Sequence, residues 1–114
     1  MTLEEAYAVA GGNYQNILKR LGSEASVLKF SKMFLADDSY KNLHGFLEEG
    51  NLDEAFRMAH TLKGSSQMLD LTNLYHSSFE ITEALRNREL ENLSELLEAL
   101  DRDYAVVFEA FSAL

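Results

Sequence analysis

Residues 52–69 read LDEAFRMAHTLKGSSQML. Leu52, Ala55/Phe56, Ala59, Leu62, Ser66 and Leu69 recur at spacings of three and four, the period of a helix with one buried face. The same period continues on both sides. Upstream, Val27, Phe30, Phe34, Tyr40, Leu43 and Phe46/Leu47 share a face of a segment that Ser23 caps and that runs to about Glu49. A phase slip near Asp37–Ser39 predicts a kink or a break there. Downstream, Leu71, Leu74, Ser78, Ile81 and Leu85 mark a helix from about Leu71 to Asn87. Leu90, Leu93, Leu97, Leu100, Tyr104, Val107/Phe108 and Phe111 mark a last one from about Arg88 to Ala113. At the N-terminus, Thr2 with Glu5 three residues on is a capping box. It opens a short helix that Gly11 and Gly12 end, and Asn13 opens a second short piece stopped at Gly22. No stretch alternates with period two long enough to make a strand. The expected fold is all-α: one domain over residues 1–114, an antiparallel four-helix bundle with one or two additional short N-terminal helices.

Composition agrees. The chain has 114 residues, 46% of them hydrophobic, and no proline, cysteine or tryptophan. About five prolines would be expected at average usage, and their absence suits a chain that is helical nearly throughout. Without cysteine there are no disulfides, no thiolate metal site and no cysteine nucleophile. The net charge of −9 argues against nucleic acid as a partner, because affinity there rests on Lys and Arg at phosphates. No long apolar run spans a membrane, and residues 1–20 lack the pattern of a secretory signal. A cytoplasmic monomer is expected.

One helix carries an exception to the bland pattern. Ala59, Leu62 and Ser66 fall on the buried seam, so His60, Lys63, Gly64 and Gln67 form a stripe beside it. Arg57 and Phe56 lie one turn earlier on that side. Glycine inside a helix costs about 1 kcal/mol relative to alanine, so Gly64 asks for a reason. One turn from His60, it removes a side chain that would screen the imidazole. Histidine is a nucleophile that titrates near neutrality. A phosphoryl group on it would bring close to two negative charges, which the neighbouring Lys63 would offset. Cleared access, a nucleophilic nitrogen and an adjacent cation describe a phosphoryl acceptor.

AHTLKGSS at 59–66, with Leu69, Leu74 and TEALR at 82–86 following, resembles the histidine-containing phosphotransfer (HPt) domain of multistep phosphorelays. The resemblance covers essentially the whole chain. It implies that His60 is phosphorylated on Nε2, that Lys63 stabilises the phosphoryl charge, and that Gly64 gives clearance to a docking receiver domain. Ser65 and Ser66 match the small residues that follow that glycine. The implied partners are receiver domains and a sensor or hybrid histidine kinase. The implied Mg²⁺ sits on the receiver, with no cofactor in this chain. Such a protein carries a phosphoryl group and has no ATP-binding or kinase activity of its own. Two positions depart from the family pattern. Asp70 stands where many members have Gly, so the following turn is expected to differ. Thr82 stands where some members have a Gln or Glu that orients the imidazole; Gln67, on the histidine's own stripe, is the other candidate for an imidazole or phosphate contact.

Phe56, Arg57, Tyr7 and Met33 are the residues expected to form a docking patch. The acidity is uneven: residues 71–114 carry −6 and residues 1–70 carry −3. With Arg57 and Lys63 near the site and Lys29 and Lys32 on the preceding long helix, a locally neutral or positive surface is expected around His60. A second reading is a catalytically silent helical adaptor that binds a receiver or kinase without carrying phosphate; the intact His60 weighs against it. A metal-binding bundle has little support, since His76 and Glu80 alone supply too few ligands.

Overall fold

Four helix starts are closed by the side chains that the sequence places at them. In the computed structural model, which describes residues 1–114, the Glu5 amide donates to Thr2 Oγ1 at 3.1 Å and the Thr2 amide to Glu5 Oε1 at 2.9 Å, a complete capping box. Asn13 and Ser23 likewise accept from Asn16 and Ser26, and Asn51 accepts from Glu54. These four starts belong to α1, α2, α3 and α5 of seven helices: α1 Leu3–Ala10, α2 Tyr14–Leu21, α3 Glu24–Leu35, α4 Ser39–Glu48, α5 Leu52–Met68, α6 Thr72–Asn87 and α7 Leu93–Ser112. There is no strand.

The expected phase slip is a full break. Asp37 Oδ1 accepts from the Ser39 amide at 2.8 Å, which starts α4 afresh after α3 has ended. The two pieces still form one column of the bundle. Phe34 meets Phe111 and Tyr104, Tyr40 stacks on Tyr104 at 3.7 Å, and His44 reaches Asp101, so rising numbers on α3–α4 run against falling numbers on α7. Asp101 Oδ1 takes both the Tyr40 hydroxyl at 2.5 Å and His44 Nε2 at 2.6 Å. Burial, and then this carboxylate, hold the Tyr40 phenol above its ordinary pKa, so it remains a donor. With α5, α6 and α7 the column makes an antiparallel four-helix bundle, and the whole chain is about 40 × 20 × 20 Å in extent. The two short helices, α1 and α2, cover the end where α5 and α7 finish.

The buried faces follow the periodicity. Ala55, Ala59, Leu62 and Ser66 on α5 are buried, as are Leu74, Ser78, Ile81 and Leu85 on α6. One boundary differs: α7 begins at Leu93, not near Arg88. Arg88 takes a left-handed conformation, φ 54°, that ends α6, and its guanidinium pairs with Asp53 at the start of α5. Leu90, expected to point inward, therefore lies in the connection and is exposed.

The turn from α5 to α6 binds the N-terminal helices to the bundle. Asp70 adopts φ 55°, the left-handed conformation that glycine takes most easily. The turn thus has the form a glycine would give it, and the expected departure at Asp70 is one of residue type only. Arg20 on α2 holds the Asp70 carboxylate at 3.3 Å and donates to the carbonyls of Gln67 and Met68 at 3.1 and 2.9 Å. The Asn13 amide donates to the Asp70 carbonyl at 2.8 Å. Gly12 is required here, because a Cβ on it would lie 2.8 Å from the Tyr7 ring and 3.0 Å from the Asp70 carbonyl.

Tyr7 is fully buried, and its hydroxyl donates to the Leu69 carbonyl at 3.1 Å. This corrects the expectation that Tyr7 belongs to a docking patch: its ring packs on Phe111 and Tyr14 inside the core. Burial pushes its phenol up to about 12, which keeps the proton needed for that bond. Tyr7→Phe should leave the Leu69 carbonyl without its side-chain donor and lower stability by about 1–3 kcal/mol. Urea unfolding followed by circular dichroism would measure this; an unchanged midpoint would show that the bond contributes nothing.

Candidate functional site

The faces of α5 that are not used by the core define the site. Arg57, His60, Thr61, Gly64, Gln67 and Met68 are exposed and follow one another along the outer side of the helix. His60 stands near its middle, fixed in place by the burial of Ala59 and Leu62 on either side. A Cβ built on Gly64 would have no heavy atom within 4 Å. No contact inside the fold needs this glycine, so the helical stability it forgoes leaves a bare strip one turn beyond the histidine.

Lys63 sits to one side of the stripe, partly covered, and not on its crest. Its Nζ lies 5.7 Å from the centroid of Phe79 on α6. None of the chain's ion pairs includes it, so its charge is uncompensated within the protein. On the same flank, Phe56 lies one turn before His60, with ring centroids 6.0 Å apart and planes at 43°. The Arg86 guanidinium covers the Phe56 ring at 4.8 Å and is held by Glu83 at 2.7 Å. Phe56, Arg57, Met58, His60, Thr61 and Arg86 together line an open cleft of about 470 Å³. Arg57 is exposed and reaches Glu54 at 3.7 Å. Three cations thus surround the histidine, two of them each paired with one carboxylate.

The other flank is apolar. Met33 on α3 is 55% exposed and lines a groove of about 170 Å³ with Phe30, Ser65 and Met68. Met33 therefore borders the stripe of α5, whereas Lys29 and Lys32 stand exposed on α3.

Neither candidate for orienting the imidazole does so. Thr82 is fully buried and its hydroxyl donates to the Ser78 carbonyl at 2.6 Å. Gln67 lies two helical turns from His60, about 10 Å along the axis, beyond the reach of its amide. Its backbone carbonyl instead serves the α5–α6 turn. Among the histidines only His44 has a side-chain hydrogen-bond partner. Sequence reasoning missed Thr61, Met68, Phe79 and Arg86. The first two follow from the helical period, while the other two reach the site across the α5–α6 contact and leave no local signal.

No group of three or more His, Cys, Asp or Glu side chains is arranged to hold a metal ion, and no helix is long and apolar enough to cross a membrane. The family model of the Hpt domain matches residues 33–110, from the end of α3 through most of α7. No curated protein and no solved structure matches the chain. Hpt domains are phosphocarrier modules that work with receiver domains and kinases in phosphorelays. The family-model match covers more than two-thirds of the chain, His60 and the whole of α5 included, and the protein belongs to the Hpt domain family.

Proposed function

We propose that the chain relays a phosphoryl group between receiver-domain aspartates through His60. The observation that carries this is the bare strip at Gly64, a mid-helix glycine with open space around it beside an exposed histidine. In the forward step the His60 Nε2 lone pair attacks phosphorus of a receiver's aspartyl phosphate. The N–P bond forms as the P–O bond breaks, and the receiver's aspartate leaves as a carboxylate. The ring keeps its Nδ1 proton as an imidazolium or releases it to water. Transfer onward to a second receiver's carboxylate reverses these changes.

Phosphoryl transfer asks a protein mainly for positioning and charge compensation. Lys63 supplies compensation: its ammonium has no carboxylate partner and lies on the histidine's flank, near the Phe79 ring. The Mg²⁺ of the reaction is assigned to the receiver. Incubation with a phosphorylated receiver should put acid-labile label on this chain, and His60→Gln should abolish it. Receiver binding with no label on the parent chain would favour the silent adaptor instead.

Gly64 separates stability from function. Gly64→Ala should raise stability by up to about 1 kcal/mol, since alanine is the better helix former and its Cβ meets nothing. Gly64→Leu, equally free of internal clash at Cβ, should reduce transfer at least tenfold with an unchanged circular dichroism spectrum. Transfer at the parental rate in Gly64→Leu would refute clearance as the role of this glycine.

A further inference from the structure

We propose that Phe56 is the positioning residue for the His60 imidazole; this rests on His60 as phosphoryl acceptor. An exposed imidazole with no hydrogen bond would sample several rotamers, and productive attack needs one of them. The two polar side chains that sequence spacing offers are excluded, Thr82 by its bond to Ser78 and Gln67 by distance. Phe56 is the aromatic side chain that meets the ring. It lies at i−4, where helical side chains meet, and its tilted approach at 6.0 Å is within the range favoured by aromatic pairs.

Phe56 is itself constrained. Its ring is half-buried against the core, and Arg86, tethered by Glu83, covers it. The chain Glu83–Arg86–Phe56–His60 thus carries order from α6 to the nucleophile. An aromatic contact leaves both imidazole nitrogens free. A hydrogen-bonding orienter would instead occupy one nitrogen and select a tautomer.

The test uses the full chain with isotope-labelled histidine. The expected result for the parent is His60 side-chain couplings of a single rotamer. Phe56→Leu, which keeps an apolar group in the half-buried site, should give averaged couplings with an unchanged circular dichroism spectrum. At saturating phosphorylated receiver its kcat for phosphoryl uptake should fall about two- to tenfold, with KM unchanged. Phe56→Tyr, which keeps the ring, should restore both. Parent-like couplings in Phe56→Leu would overturn the proposal. So would a rise in KM alone, which would make Phe56 a docking contact. If the parent took no label from any receiver, the acceptor role of His60 would fail, while the couplings would still decide whether Phe56 holds the ring.

Discussion

The end of α5 is where this fold is tied together. A helix leaves its last carbonyls without internal donors, and here other parts of the chain supply them. Arg20 serves Gln67 and Met68, Tyr7 serves Leu69, and Asn13 serves Asp70. The turn itself closes with the Leu71 amide on the Ser66 carbonyl at 2.9 Å, a Schellman arrangement with Asp70 as its left-handed residue. This sets where α6 departs and so which of its residues come to lie beside the histidine. Because α5 is secured by its end and by its buried face, its outer stripe has no duty in folding.

That freedom is used asymmetrically. One flank of His60 is aromatic and cationic, with Phe56, Arg86, Phe79 and Lys63; the other is apolar, with Phe30, Met33 and Met68. The whole-chain charge of −9 says little about the potential at this face, because screening limits exposed charges to about 8 Å at physiological ionic strength. On this face Arg57 and Arg86 each have a carboxylate partner and Lys63 has none. If His60 is the acceptor proposed above, a single unpaired cation on its flank suits a group whose charge arrives and departs.

Much of this was legible in the sequence. The caps at Thr2, Asn13 and Ser23 act as local chemistry dictates, and the inward residues of α6 are those its period selects. The outer stripe of α5 was legible for the same reason. The start of α7 was not, since Leu90 continues the apolar period while Arg88 interrupts the backbone. Tyr7 resembled a surface aromatic because its partner, the Leu69 carbonyl, is 62 residues away. The Arg86–Phe56 contact joins two helices and is equally silent in either helix alone. Local spacing reports on one helix at a time, and the orientation of an imidazole depends on two.

The family match begins at residue 33, whereas Tyr7, Asn13 and Arg20 all precede it. The portable unit is therefore larger than the shared segment. Residues 33–110 moved into another chain would carry the histidine and its flanks but lose the donors that close the end of α5. The Leu69 carbonyl would lose its buried partner, and Asp70 would keep a left-handed backbone without the guanidinium that holds its side chain. A chimera that preserved the motif and replaced the first two helices would need a new clasp for that turn.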